Sequence, residues 1–462
     1  MTTPSFELNC LARRLRCGLD GQGGTLSHGD RTVRFADLRA LPPGLTDTSL
    51  VAGRSVAIVA DQYATMAALV EFDGIARRLL IWPPDLPLEH LPYVAKEAEL
   101  DLVLSDRPDL LRSASLLPVL ECRPSAVEGD KGTAHRLTTE WIMFTSGTSG
   151  RPKLVVHTLA SLCGAIDPSP QRQIWGTFYD IRRYGGMQIF LRAALGGGSL
   201  ILAPVDNSIG DYLALLARQG VTHISGTPSH WRKVLMDPSG GLISPKYVRL
   251  SGEIVDQAIL DALAKFYPAA RLVHAFASTE AGVAFEVTDS LAGFPTSFLA
   301  DMDEDVDLNI LGQTLRVRSP RTALRYLGDY PDLRDQCDFV DTSDIISVGS
   351  DRCSFLGRAS GVINIGGLKV HPEEIESILN GHPRVRFSLV KGRQNPLTGE
   401  IVVADVVLDD DRVNTTLPDE GTIEQDLLSY CKSKLPPHKR PVSIRFVGSL
   451  PMSPGGKLIR NG

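Results

Sequence analysis

Residues 141–153 read WIMFTSGTSGRPK, and the parsing of this stretch decides the fold. Trp141, Ile142, Met143 and Phe144 form a short apolar run, the pattern of a buried strand. Thr145, Ser146, Gly147, Thr148, Ser149 and Gly150 follow, each hydroxyl-bearing or glycine. After Arg151, Pro152 and Lys153, the apolar residues Leu154, Val155 and Val156 resume strand character. Glycines let a backbone turn so that successive N–H groups point into one concavity, which favours an anion. The hydroxyls add neutral donors, and Lys153 adds a compact positive charge at the rim. The stretch reads as a phosphate-holding loop between two strands. It is not the P-loop of nucleotide triphosphatases, which needs G-x-x-x-x-G-K-[ST] ahead of a helix. Counting from Gly147, Pro152 stands where the second glycine belongs and Leu154 where the hydroxyl belongs. A flexible Gly/Ser linker is the alternative, but such linkers seldom join two apolar strands.

With 462 residues, 43% of them hydrophobic and 22% charged, the chain is an ordinary globular one, too long for a single core. Two or three domains are expected. A net charge of −6 argues against a general nucleic-acid binder, which would be basic. The first residues, MTTPSFELNCLARRLRCGLDG, lack an apolar export segment, and no run approaches a membrane span. The seven cysteines (Cys10, Cys17, Cys122, Cys163, Cys337, Cys353, Cys431) are scattered without a C-x-x-C pair. Reduced thiols in the cytoplasm, with no structural zinc, are expected.

Upstream of the loop the chain alternates. SVAIVA (55–60) reads as a strand, TMAALVEFDGIA (65–76) as a helix and RLLIW (78–82) as a strand. HLPYVAKEAEL (90–100) then reads as a helix and DLVLS (101–105) as a strand. Downstream, QIFLRAALGGGSLIL (188–202) and DYLALLARQGVTHISG (211–226) each read as helix, glycine stop, strand. This rhythm predicts a parallel sheet with helices on both faces. Ser251-Gly252-Glu253 and Phe276-Ala277-Ser278-Thr279-Glu280 both follow strand patterns, and ligands of open α/β sheets bind at the carboxyl ends of strands.

The acidic run 301–307 is read as a solvated loop rather than an EF-hand, because Val306 and Gly312 occupy the glycine and bidentate-glutamate positions. LNILGQTLRVRSP (308–320) predicts a hairpin turning at Gly312-Gln313. In the tail, strands are predicted over 362–365, 385–391, 400–408 and 442–447, and helices over 373–380 and 423–434. Together they make a small α+β domain of about a hundred residues, a plausible independent size.

Five segments resemble, in order, the signatures of the adenylate-forming superfamily: acyl- and aryl-CoA synthetases, luciferases and peptide-synthetase adenylation domains. They are T-S-G-T-S-G-x-P-K at 145–153, F-A-S-T-E at 276–280, D-T-S-D at 341–344, GRASGVINIGGLKVHPEEIE at 357–376 and Gly456-Lys457 with Arg460 at the terminus. The resemblance implies an α/β fold. Its large N-terminal domain (1–357) would consist of layered α/β subdomains plus a small distorted barrel. A smaller, mobile C-terminal α+β domain (358–462) would follow, hinged at Ser360, where the family commonly has Asp or Lys.

The resemblance also assigns roles. ATP or AMP would be bound by Thr145, Ser146, Gly147, Thr148, Ser149, Gly150, Ser251, Gly252, Glu253, Phe276, Ala277, Ser278, Asp344 and Arg358. Phe276 would lie against adenine, and Asp344 and Arg358 would reach the ribose. Thr279 would touch the α-phosphate and Glu280 would hold Mg²⁺; Lys153 and Lys457 join these two as catalytic residues. Phe178, Arg183, Tyr184 and Gly185 would border the acid pocket. Arg183 replaces the family's histidine there, and Gly186 matches its glycine. The departures (Leu154, Ala277, Ser343, Ser360) fall at neutral positions and remove no charge.

The implied activity is ligation. A carboxylic acid attacks the α-phosphorus of MgATP, giving an acyl-adenylate and pyrophosphate, and a thiol then displaces AMP. Coenzyme A is the expected co-substrate. A free-standing adenylation enzyme that loads a carrier protein's phosphopantetheine arm is the alternative. A non-catalytic nucleotide-binding relative would have lost Lys457, Glu280 or Asp344, and all three are present. The acid and the oligomeric state stay open. An α-amino acid would normally need a free Asp near the pocket; Asp180 is there, but Arg182 and Arg183 beside it disfavour a substrate cation.

Overall fold

The computed structural model describes residues 10–16, 24–29, 31–41, 48–112, 115–126, 137–145, 151–164, 166, 169, 171–203, 207–300, 305–395, 399–409, 420–453 and 457–460. Its architecture is mixed α/β, with a large N-terminal domain and a smaller C-terminal one. The large domain is built on two sheets that share a core.

The first sheet has seven strands. Their order is Arg325–Leu327, Lys153–Thr158, Glu140–Thr145, Arg78–Ile81, Ser55–Val59, Leu102–Ser105 and Val119–Glu121. The last five run parallel, as the strand–helix alternation predicts. Lys153–Thr158 turns back antiparallel on Glu140–Thr145, with Lys153 opposite Thr145. The central stretch is thus a hairpin whose arms are buried strands. Ser146, Gly147, Thr148, Ser149 and Gly150, at its tip, lie outside the described residues.

The second sheet has eight strands, in the order Gly282–Val287, Arg271–Ser278, Tyr247–Ser251, His223–Gly226, Ile174–Thr177, Ser199–Ile201, Thr25–His28 and Arg31–Arg34. Only the two outermost pairs are antiparallel. Helices Gln62–Phe72 and Tyr184–Leu195 contribute to one core with side chains of both sheets, including Ile58, Phe72, Phe190 and Leu200. Asp61 starts the first helix by accepting from Ala64 N–H (2.7 Å), the expected use of an Asp N-cap. Burying apolar side chains between the layers is the dominant favourable contribution to this arrangement.

Three parallel neighbours of the second sheet end at one edge: His223–Gly226, Tyr247–Ser251 and Arg271–Ser278. Their carboxyl ends deliver Thr227, Gly252-Glu253 and Thr279-Glu280 side by side. An antiparallel five-stranded sheet follows, containing the predicted hairpin Asp307–Leu311 and Thr314–Arg318. Its turn residues Gly312 and Gln313 have φ of 59° and 74°, the left-handed pair that a two-residue hairpin loop requires.

The strand Arg352–Arg358 is the last of that sheet in sequence, lying inside the edge strand Phe294–Pro295, and the 3₁₀ turn Ala359–Gly361 carries the chain into another sheet. There Leu368–Val370, Ile363–Ile365, Gly399–Leu408 and Val385–Asn395 are neighbours, and Ser443–Phe446 joins Gly399–Leu408 in parallel. Helices Pro372–Asn380 and Glu420–Lys434 cover this sheet over a separate core that includes Ile375, Leu379, Val390 and Leu427. Among the described residues no helix is long and apolar enough to cross a membrane.

Candidate functional site

A cavity of about 330 Å³ opens between the two domains, along the edge where the parallel strands end. On the large-domain side it is lined by Gly252, Glu253, Phe276, Ala277, Asp344 and Arg358, and on the small-domain side by Glu373, Glu376, Asn380, Lys457 and Arg460. Its apolar wall is a cluster of rings. Phe276 stacks on Phe285 (centroids 5.5 Å apart) and on Phe355 (5.3 Å). Phe285 and Phe355 escaped the sequence reading because nothing marks a phenylalanine inside a strand as a cavity wall rather than core.

Asp344 and Arg358 face each other across an antiparallel pair, and Arg358 Nε donates to Asp344 Oδ1 (3.2 Å). Burial raises the Asp344 carboxyl above its ordinary value, while Arg358 and Lys457 pull it back down. The residue before it, Ser343, has φ of 59°, a conformation that favours glycine. This is the physical reason a glycine is usual in the motif that D-T-S-D resembles. Ser343 is held there by its N–H to Asp341 Oδ1 (2.8 Å).

Lys457 reaches into the cavity from the end of the small domain. Its Cε stands 3.7 Å from where a Cβ on Gly252 would lie, with the Tyr179 hydroxyl 3.9 Å from that same point. Desolvation in the cleft lowers the ammonium below its ordinary value; Arg358 and Arg183 add to this, while Glu253 and Asp344 oppose it. Tyr179 donates its hydroxyl to the carbonyl of Ser251 (2.6 Å), fixing the strand end below Gly252.

Beside the hairpin of strands Glu140–Thr145 and Lys153–Thr158 lies a second cluster. Lys153 has no carboxylate partner among the described residues; its ammonium lies over the rings of Tyr326 (5.3 Å) and Tyr330 (5.6 Å). Such cation–π contacts hold a cation without neutralising it. The Tyr326 hydroxyl lies 3.5 Å from Glu280 Oε1, and burial together with that carboxylate pushes the phenol up. Glu280 likewise has no ion pair among the described residues. No group of three or more metal-binding side chains occurs among them. One free carboxylate suits Mg²⁺, which is commonly held by one or two carboxylates with phosphates and water supplying the rest. Glu280 would hold the ion, and the ion would neutralise phosphate charge.

His157, on the strand after the loop, was not singled out in the sequence, where it sits inside an apolar run. It is fully buried, and its Nε2 lies 2.7 Å from the carbonyl of Thr279. A carbonyl only accepts, so Nε2 carries the proton. Nδ1 then faces Ser161 Oγ at 2.9 Å. His157 thereby ties the hairpin to the Thr279-Glu280 loop. Past that loop, Gly282 has φ of 72°, and a Cβ there would fall 2.2 Å from the Arg321 carbonyl, so the turn admits only glycine.

The candidate acid-pocket residues are less uniform. Tyr184 is buried in the core against His157 (centroids 5.6 Å). Phe178 stacks on His230 (5.5 Å). Gly185 lies against the Tyr179 ring, and at Gly186 a Cβ would collide with the Asp180 carbonyl at 2.1 Å. Arg183 precedes the helix and pairs with Asp85. Both oxygens of Asp180 are taken by Arg182 (2.9 and 2.7 Å). Ser360 is exposed in the 3₁₀ turn between the sheets.

Residues 50–320 match the family model described as AMP-binding enzyme, and residues 374–457 match its C-terminal domain. The chain belongs to the AMP-binding enzyme family. The two matches together place it in the adenylate-forming superfamily. Among similar proteins, this AMP-binding enzyme is 24% identical to a dimodular nonribosomal peptide synthase of Bacillus subtilis (strain 168), over 82% of its own length and 18% of the synthase. It is 26% identical to the long-chain-fatty-acid–CoA ligase FadD13 of Mycobacterium tuberculosis, over 69% of its own length and 66% of that ligase. The chain thus spans less than two thirds of either relative. Its fold matches the crystal structure of the anthranilate CoA ligase AuaEII in complex with anthranoyl-AMP, with a TM-score of 0.79 at 16% identity, covering 99% of this chain and 97% of that one.

Proposed function

We propose that this AMP-binding enzyme activates a carboxylic acid with MgATP to an acyl-adenylate and then transfers the acyl group to the thiol of coenzyme A. The observation that carries the first step is Lys457, delivered by the small domain into a cleft whose other wall holds Gly252, Asp344 and Arg358. A carboxylate must approach an α-phosphate there, negative charge against negative charge. A fixed ammonium between them stabilises the in-line transition state more than the separated reactants. On this reading Lys153 and Glu280, which lack ionic partners among the described residues, meet the remaining phosphates and their Mg²⁺. Phe276, Phe285 and Phe355 offer a flat apolar wall to a base, and Asp344 can accept from ribose hydroxyls. No protein nucleophile is needed; positioning and charge neutralisation do the work.

The acid is read as lacking an α-ammonium group, because Arg182 occupies both oxygens of Asp180. The acceptor reading rests on FadD13, a CoA ligase by name. The similarity to a peptide synthase over 82% of this chain favours a second reading, transfer to a carrier-protein phosphopantetheine. Acid-dependent ATP–pyrophosphate exchange with a panel of carboxylic acids tests the first step. Product analysis with coenzyme A and with carrier proteins then tests the second. Exchange that no acid stimulates would refute adenylation, and thioester formed only on a carrier would replace coenzyme A.

A further inference from the structure

Glu253 stands in the turn after the strand Tyr247–Ser251, on the large-domain wall of the cleft. Its two carboxylate oxygens serve different domains. Oε2 accepts from the N–H of Ser229 (3.0 Å), in the first turn of helix Pro228–Met236. Oε1 accepts from the N–H of Leu458 (3.1 Å), the residue directly after Lys457. The Leu458 N–H has no role in its own hairpin. That hairpin is closed by Ser453 N–H to the Lys457 carbonyl (2.7 Å) and by Ile459 N–H to the Pro451 carbonyl (3.0 Å).

Arg460 grips the same segment from the other side. It pairs with Glu376 (2.9 Å) and Glu373 (3.1 Å) on helix Pro372–Asn380. The few residues that carry Lys457 are therefore fastened to the small domain by a side chain and to the large domain by a main-chain amide. A carboxylate bound to a backbone N–H is among the stronger hydrogen bonds. Because the donor is main chain next to Lys457, the bond fixes where the lysine starts and leaves its ammonium free.

We propose that Glu253 is a positioning residue: through the Leu458 amide it latches the Lys457 segment into the cleft for adenylation, and it lets go when the small domain moves. The proposal rests on the adenylation reading above. It gives Glu253 a task distinct from nucleotide binding, since both of its oxygens face protein amides.

The test removes the bond from each end. Glu253→Ala deletes the acceptor. Leu458→Pro deletes the donor and leaves the carboxylate and helix Pro228–Met236 untouched. Because proline also restricts Lys457 before it and removes a side chain packed on the small domain, the double variant and amide exchange, rather than the single loss, separate the latch from folding. Each variant should lower kcat for acid-dependent ATP–pyrophosphate exchange by about ten- to a hundredfold, the worth of one hydrogen bond to a charged group, with a smaller change in KM for ATP. The double variant should lose no more than the worse single. Losses that multiply in the double variant, or wild-type exchange in Leu458→Pro, would overturn the latch. Amide hydrogen exchange at Leu458 in the free protein decides the same point without chemistry. It should be slow in the wild type and at least about tenfold faster in Glu253→Ala. Equal rates overturn the latch, whereas a wild type that no acid stimulates overturns the adenylation reading instead.

Discussion

Glu280 and Lys153 carry opposite charges, and among the described residues neither has an ionic partner. Lys153 lies over Tyr326 and Tyr330, and Glu280 lies beside the Tyr326 hydroxyl; on the proposed reading both charges serve MgATP. Glu280→Gln keeps the shape and removes the charge that suits a hard cation. Exchange activity at ordinary Mg²⁺ should fall by roughly 10²-fold or more, with the fold unchanged by circular dichroism; full activity would remove Glu280 from the site. Arg183 is tied to Asp85, and on the proposed reading it borders the acid pocket. Arg183→Ala should raise the apparent KM for the acid at least about fivefold. An unchanged acid preference and KM would make it a surface ion pair. At this scale the charged residues were legible because each stands in a short motif whose neighbours are glycine or hydroxyl residues. Tyr179, His157, Tyr326 and Phe355 were not, because an aromatic or histidine within a strand reads as core until its neighbours across the sheet are known.

Strands and helices were legible where alternation marked them, while others, among them strands Thr25–His28, Ile174–Thr177 and Gly282–Val287 and helix Pro228–Met236, were not picked out. The predicted helix over 373–380 is Pro372–Asn380, and the predicted strand over 400–408 is Gly399–Leu408. Alternation, glycine stops and caps are local, and they survive into the structure. What stayed hidden is which strand lies beside which. The strand Arg325–Leu327, distant in sequence, pairs with Lys153–Thr158 at the edge of the central hairpin and brings Tyr326 to Lys153. The hairpin is further held by His157, whose burial lowers its pKa to about 4. His223 is likewise lowered to about 4 and His230 to about 3, both chiefly by desolvation. A histidine lowered by burial contributes stability that is present above its unfolded value, about 6.5, and is lost as pH falls through the folded value. Asp73, raised to about 6 by burial, acts in the opposite direction: its contribution is present at low pH and is lost as pH rises through about 6. His274, His371 and His382 are lowered by burial as well, and Asp344 and Glu373 are raised. Six histidines outweigh three carboxyls, so stability should fall on acidification from about pH 6.5 to 4. Replacing His157 by Gln should flatten that fall by up to ~1.4 kcal/mol per pH unit, read from urea unfolding at a series of pH values. An unaltered slope would mean that His157 charges freely in the folded protein.

For the molecule as a whole, the decisive feature is that one active-site wall belongs to a domain with its own core. Sequence order placed Lys457 about two hundred residues from Gly252, and only the small domain's docking brings them to one cleft. On the proposed reading adenylation needs Lys457 there, because two anions must meet. Thioester formation starts from an activated, already neutralised acyl group and needs no such cation. If the small domain turns about the exposed Ala359–Gly361 segment between the half-reactions, Lys457 leaves with it. Lys457→Ala should then lose ATP–pyrophosphate exchange by on the order of 10²–10³ or more, the cost of one lost electrostatic stabiliser. The same variant, supplied with ready-made acyl-adenylate and thiol, should form thioester at close to the wild-type rate. Equal losses in the two assays would mean that Lys457 serves both steps from one position, and that the cleft works as a single fixed site.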